Sequence, residues 1–200
     1  MTLKRILLGT TNTAKVYIIR TALEFLPIQV LTLEDLSISL SVKEDGKSAE
    51  DNAQSKARAY FAASHVPTLA IDGGLCIDRF PPDKQPDTFV RRIYREDRDA
   101  TDEEVLEYYR RELEAVGGES PATWRGAMAL ALGPDRIVAD TFFFNATLTS
   151  RRRGKPAPGA PLDALMIDPA SRKYYTEMSW QERPHTHWIG EFVKQYMDEL

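Results

Sequence analysis

Three short groups of residues carry most of the reactive side chains of this chain, and each falls where a strand candidate ends or a helix candidate begins. The first is the turn Gly9-Thr10-Thr11-Asn12-Thr13-Ala14-Lys15. Helix N-termini present unpaired backbone N–H groups and a positive dipole end, and both suit phosphate. Thr10, Asn12 and Lys15 add a hydroxyl, an amide and an ammonium to the same turn, so the ligand it suggests is a polyanion. The turn lacks the G-x-x-x-x-G-K-[ST] spacing of a Walker A loop, and a plain helix start capped by Thr and Asn accounts for it equally well. The second group is the acidic stretch from Glu44 to Ala53, followed by Lys56; the third is Asp72-Gly73-Gly74. Carboxylates beside a phosphate-binding turn would repel the ligand unless a divalent cation lay between them. Magnesium takes oxygen ligands, usually one or two carboxylates with phosphate oxygens and water, and Glu44 and Asp72 are the candidates. Each group also has a plainer alternative. Asp-Gly-Gly suits an ordinary turn, the acidic run suits a solvated helix start favoured by the dipole, and a helical lysine is usually exposed. It is the ordered set of three that favours chemistry.

The elements that must position these groups can be read from periodicity. Arg5 to Gly9 reads as a buried strand. Ala14 to Phe25 carries Val16, Ile19 and Leu23 at helical spacing before Pro27, and Ile28 to Leu33 is a second strand candidate. Ser48 to Ala63 is the clearest helix, with Ala49, Ala53 and Ala57 along it and Ser48 as cap. Thr68 to Ile71 reads as a strand ending at Asp72, and Arg79 to Asp99, rich in Pro, Asp and Arg, as an irregular connection. Thr101-Asp102-Glu103-Glu104 opens a helix to about Val116 as a capping box, with Gly117 and Gly118 to end it. Trp124 to Leu132 and Ile137 to Thr149 read as strands, Arg151 to Pro161 as a basic Pro/Gly-rich loop, Asp163 to Ile167 as a short strand, and Ile189 to Met197 as an amphipathic helix. Early alternation of strands and helices, with strands clustered in the middle, predicts an α/β fold on a mixed sheet.

Bulk properties narrow the function. Two hundred residues suffice for a real core, and 42% hydrophobic with 28% charged residues is ordinary for a globular chain. A formal net charge of −4 argues against nucleic-acid polymers and membrane surfaces as partners. The one cysteine, Cys76, lies in an apolar stretch as a small core residue and suits a reducing compartment. No run approaches the roughly 18 apolar residues of a membrane span, and the first residues do not look like a cleaved signal. The cytoplasm is therefore the expected location. His65 suits the C-terminal end of its helix, and His185 with His187 lack a third metal partner in sequence.

In order along nearly the whole chain, these motifs resemble the inosine triphosphate pyrophosphatase family, whose members hydrolyse non-standard purine nucleoside triphosphates. The family's T-x-N-x-x-K turn is met by Thr10, Asn12 and Lys15. Its E-x-G-x-(T/S)-x-x-E-N-A-x-x-K-A stretch is met by Glu44, Gly46, Ser48, Asn52, Ala53, Lys56 and Ala57, with Asp51 for the second Glu. A-D-D-S-G-L reads here as Ala70-Ile71-Asp72-Gly73-Gly74-Leu75, so one Asp and the Ser are lost. Ala100-Thr101-Asp102 matches the A-T-D that opens a family helix, and Tyr174 to Met178 is similar to T-x-A-E-(M/L). The base-pocket segment G-F-G-Y-D-P keeps only Asp163. The family's Lys and S-H-R become Arg183 and Thr186-His187-Trp188 with a spacing one residue shorter. The phosphate and metal end is thus kept better than the base end.

The resemblance implies an elongated single α/β domain over residues 1–200, with a central mixed twisted sheet, two lobes and a cleft between them, and a homodimer, for which Tyr108-Tyr109 and Arg79 to Arg98 are possible contact surfaces. It implies magnesium-dependent hydrolysis of a nucleoside triphosphate to a monophosphate and pyrophosphate. In that scheme Lys15, Lys56 and Arg183 hold the triphosphate, with Thr10, Asn12 and Gly73 completing the cradle. Glu44 and Asp72 hold magnesium, and Asp72 positions or deprotonates the attacking water. Asp163, His187 and Trp188 fall to the base side, where Trp188 either stacks on a base or packs in the core. Two alternatives stay open: a nucleotide-binding sensor with weak catalysis, and a phosphohydrolase recruited to another phosphorylated substrate.

Overall fold

Ile6, Leu7 and Leu8 are buried on both faces of the strand β1 (Lys4–Leu8), as a strand covered on both sides requires. The computed structural model describes residues 3–93 and 98–200. β1 pairs in parallel with β2 (Ile28–Leu31), Lys4 opposite Ile28, and with β3 (Thr68–Ile77), Leu7 opposite Thr68. Parallel neighbours need crossovers, and the helices α1 (Thr13–Leu23) and α2 (Ala49–Ser64) supply them. α3 (Asp102–Ala115) then leads to β4 (Glu119–Ala131) and β5 (Ile137–Thr149), whose short connection makes them an antiparallel hairpin. β6 (Met166–Ile167) pairs antiparallel with β5, and α4 (Pro184–Gln195) follows. The sheet is therefore mixed, with six strands in the order β2-β1-β3-β4-β5-β6.

The described chain forms two units that share the long strands. One comprises residues 3–72, Gly126–Phe142 and Pro184–Leu200. Its core sets Ala53 and Ala57 of α2 against Ala70 of β3 and Ala127, Ala129 and Ala131 of β4, small residues that let a helix lie close to the sheet. The other comprises Gly73–Arg125 and Phe143–Arg183. Its larger core gathers Leu75, Ile77, Phe80, Leu106, Tyr109, Leu148, Leu165 and Tyr175.

Helix boundaries follow their caps. Asn12 accepts from the Lys15 backbone N–H, and Ser48 from that of Asp51, at 3.1 Å each. Thr101 and Glu104 complete the expected capping box. His65 caps α2 in the left-handed conformation, φ 55°, its N–H donating to the Phe61 carbonyl. Five expectations need correction. β3 does not stop at Asp72 but runs five residues further, to Ile77, as a ten-residue strand. Gly74 is needed there because the Asp87 backbone pairs with Leu75, and a Cβ on Gly74 would come within 3.0 Å of it. Asp163 sits on a 3₁₀ turn, Pro161–Ala164, rather than a strand, since Pro161 fixes a turn-compatible φ. α4 begins five residues earlier than its apolar periodicity, at Pro184. Cys76 is half-buried, on the face of β3 opposite Leu75 and Ile77. Tyr109 is no contact surface, being 1% exposed on the buried stripe of α3 with Val105, Leu106 and Leu113. The Arg79 to Arg98 segment includes residues 94–97, which lie outside the described residues.

Candidate functional site

The phosphate-type turn, the acidic stretch and Asp72 meet in the first unit. β1 and β3 are sheet neighbours, so α1, starting just past β1, sends Lys15 across to β3. Its Nζ donates to the Ile71 carbonyl at 3.1 Å and lies 3.3 Å from Asp72 Oδ1. α2 brings the second ammonium. Asn52, Ala53, Lys56, Ala57 and Tyr60 form its buried face, a spacing of one helical stripe. Lys56 is only 5% exposed, so the plain reading of an exposed helical lysine does not hold. Its Nζ lies 3.1 Å from Asp72 Oδ1 and 2.9 Å from Glu44 Oε1, and 3.4 Å from the Ile71 carbonyl. Two ammoniums thus share one carboxylate oxygen, and Lys56 links both carboxylates.

The segment between Glu44 and α2 is held by its own motif residues. Asn52 Oδ1 accepts from the Gly46 N–H at 2.8 Å, and Asp51 Oδ2 from the Lys47 N–H at 3.1 Å. Asp51 is therefore a helix-start residue, as the dipole reading has it, whereas Glu44 reaches the lysine. Asn52 also favours the ionised form of Asp72. Its sequence signal was its place in the Asp51-Asn52-Ala53 run, but nothing local tied it to Asp72.

The electrostatics are those of a charged cluster drawn into the protein. Burial opposes ionisation of Asp72, but Lys15, Lys56 and Asn52 outweigh it and hold its carboxyl below the usual value. Burial and then the Lys56 charge push Lys15 down, against the pull of Asp72 and Glu44, although a third of its side chain is exposed. Asp72 Oδ2 is buried and has no hydrogen-bond partner, an acceptor that calls for a cation or a donor. Among the described residues no group of three or more His, Cys, Asp and Glu side chains is placed to hold a metal ion. Glu44 and Asp72, both on Lys56, offer carboxylate oxygens, the donor type that magnesium takes beside phosphate oxygens and water.

Thr10 and Asn12 serve the turn itself: Thr10 Oγ1 accepts from the Asn12 N–H at 3.1 Å, and Asn12 caps α1. On α4, His187 is exposed, while Trp188 is half-buried with its ring 5.7 Å from that of Phe142, which stacks on His185 at 6.3 Å. Phe142 covers Gly126, where a Cβ would lie 2.2 Å from the ring. Phe142 lies on β5, and no local pattern in the chain marks its contact with Gly126.

The second unit holds Gly73, next to Asp72 on β3, and a separate pair, Asp163 and Arg183. Arg183 Nη2 lies 2.7 Å from Asp163 Oδ2 and donates to the Tyr175 carbonyl at 3.2 Å, and the guanidinium sits 3.7 Å from the Trp180 ring centroid. Burial raises the Asp163 carboxyl above its usual range despite the opposing pull of Arg183. The Tyr175 hydroxyl beside them is buried without a hydrogen-bond partner, and burial raises it too.

Residues 6–188 match the model of the Ham1 family. The chain belongs to the Ham1 family. Among relatives, it is similar to a protein of Leptospira interrogans named dITP/XTP pyrophosphatase, 36% identical over 74 residues that cover 37% of this chain and 38% of that one. A protein of the same name from Halalkalibacterium halodurans is 28% identical over 186 residues, 90% and 91% of the two chains. The match to the Leptospira member spans well under half of that protein's length. A solved structure of a HAM1 protein from Coxiella burnetii shares the fold, with a TM-score of 0.76 at 23% identity over 98% of this chain and all of the other. The family expected from the motifs is the family found. No helix among the described residues is long and apolar enough to cross a membrane.

Proposed function

We propose that this chain is a nucleoside triphosphate pyrophosphatase: water attacks the α-phosphorus, the bond to the β-phosphate oxygen breaks, and a monophosphate and pyrophosphate result. One observation carries the reading. Lys15 and Lys56 converge on Asp72 Oδ1 while Asp72 Oδ2 stays buried and unpartnered, with Glu44 on the same lysine. Ammoniums for phosphate and carboxylates for a hard cation are thereby within one site. The relatives' shared name, dITP/XTP pyrophosphatase, supports the same chemistry.

Lys15 and Lys56 draw the triphosphate oxygens, and Thr10 and Asn12 hold the turn whose N–H groups and dipole face them. Gly73 leaves backbone without a side chain beside Asp72, and Arg183 is assigned to the phosphates. Glu44 and Asp72 would hold magnesium, which when bound neutralises charge on the phosphates and orients them. Asp72, kept ionised by its two lysines, orients the water or accepts its proton as the new bond forms. Asp163, His187 and Trp188 fall to the base side. With Trp188 where the family has Arg, and its ring packed on Phe142, the choice of base is looser than in a strict hypoxanthine pocket. We assign the activity to one domain spanning residues 1–200, acting as a cytoplasmic homodimer with no membrane or nucleic-acid polymer as partner.

The test is a pyrophosphate-release screen over many nucleoside triphosphates, dITP and XTP included, with and without magnesium. Magnesium-dependent release is expected. Nucleotide binding without release supports a sensor instead, and similar rates on all purines and pyrimidines defeat a hypoxanthine-type pocket.

A further inference from the structure

We propose that Lys56 is a resident counter-cation that withholds Glu44 and Asp72 from a divalent ion until a polyphosphate arrives. The inference rests on the reading of this cluster as a metal-and-triphosphate site and adds an order of events to it. Lys56 Nζ lies 2.9 Å from Glu44 Oε1 and 3.1 Å from Asp72 Oδ1, so one ammonium already bridges the two candidate ligands. Lys15 Nζ adds a second positive charge 3.3 Å from the same Asp72 oxygen. The formal charges of the two lysines and two carboxylates cancel. A divalent ion added to this balanced cluster would face two nearby ammoniums, with little solvent to screen them around Lys56 and Asp72, both under a tenth exposed.

Lys56 stays with the two carboxylates while no other anion is there for it to hold. It projects from the buried stripe of α2 between Ala53, Ala57 and Tyr60, and its ammonium also approaches the Ile71 carbonyl. What relieves the repulsion is negative charge for the ammoniums to hold. A polyphosphate brings it, turning Lys15 and Lys56 toward its oxygens and leaving Glu44 and the unpartnered Asp72 Oδ2 as ligands beside oxygens that a hard cation also wants. Metal and polyphosphate then bind with positive coupling, and by linkage each raises the affinity of the other equally.

The test uses the full chain and Mn²⁺ alone, counted by electron paramagnetic resonance of the free ion. Wild type is expected to show no saturable site at concentrations where Lys56→Gln binds one Mn²⁺, with a gain of at least about tenfold, inside the usual range of coupling between sites. Adding Glu44→Gln to Lys56→Gln is expected to abolish the gain, which places the ion at this cluster. Equal Mn²⁺ affinity in wild type and Lys56→Gln overturns the inference and leaves the metal reading intact. Should Lys56→Gln not fold, wild type alone decides: a tight saturable Mn²⁺ site without phosphate, lost in Glu44→Gln, overturns it, and the absence of such a site supports it once inorganic tripolyphosphate is shown to recruit Mn²⁺ to the protein. Failure of Mn²⁺ to bind any of these proteins, tripolyphosphate included, overturns the metal reading and the inference together.

Discussion

Asp72→Asn separates what this carboxylate does for turnover from what it does for stability. Its Oδ1 is the shared partner of Lys56 at 3.1 Å and Lys15 at 3.3 Å. Removing one member of a buried ion pair costs about 3–5 kcal/mol when the survivor is stranded. Neither lysine is stranded here. Lys56 keeps Glu44 at 2.9 Å and the Ile71 carbonyl, Lys15 is a third exposed, and the amide still offers an oxygen. The expected loss is therefore smaller, about 1–3 kcal/mol. Turnover should suffer more, because an amide neither accepts a proton nor neutralises a cation. A fall of at least about 100-fold is expected, the low end of acid–base effects, or about 2.7 kcal/mol of barrier.

The assay is pyrophosphate release under saturating magnesium, at a temperature where urea unfolding shows the variant fully folded. Turnover within about fivefold of wild type would refute the assignment, given the size of general-base effects. The pH dependence of stability gives an independent check. The folded-state pKa of Asp72 is held below its ordinary 3.8, so its contribution is fully present above the ordinary carboxyl range and is lost as pH falls through the lower folded value. The urea midpoints of wild type and Asp72→Asn should differ at neutral pH and converge in acid. A gap that persists unchanged at strongly acid pH refutes the pairing argument.

Three further predictions follow from other contacts. Thr101→Ala removes the side-chain half of the α3 capping box, the Thr101 Oγ1 acceptor of the Glu104 N–H, while the residue-101 N–H keeps Glu104; it should cost about 1 kcal/mol in urea unfolding, leaving turnover per folded molecule unchanged. Gly126→Ala places a Cβ 2.2 Å from the Phe142 ring, so Phe142 must move off His185 and Trp188; a loss of about 1–3 kcal/mol with a shifted Trp188 fluorescence is expected, and an unchanged spectrum would contradict it. Arg183→Met should be strongly destabilising because it leaves Asp163 buried and unpaired, by about 3–5 kcal/mol, whereas Arg183→Met with Asp163→Leu should recover most of that loss; additive single effects would show that the pair is not coupled.

What the sequence disclosed and what it hid divide by the range of the interactions. The Thr10/Asn12 turn, the Ser48 cap, the Thr101–Glu104 box and the alanine stripe of α2 are local patterns, and all were legible because the atoms involved lie within a few residues of one another. Asp72 shows where that stops. Two glycines after an Asp satisfy the local rule for a turn, but the strand continues because Asp87, thirteen positions on from Gly74, pairs with Leu75 and requires an unsubstituted neighbour. Tyr109 differs from its neighbour Tyr108 for a reason spread along the helix: it shares the buried stripe of α3 with Val105, Leu106 and Leu113. Site residues behave alike. Lys15 and Asp72 were each visible as chemistry, yet their meeting depends on β1 and β3 being sheet neighbours. Asp163 and Arg183 lie twenty positions apart on irregular segments, so no period in the chain could reveal that each is the other's partner. A motif scan therefore names the groups that touch phosphate more readily than it reveals which charges are already spent on each other. Lys56 is the residue where this matters most, since its spacing reads as a phosphate ligand while its contacts are with the two carboxylates that would hold the metal.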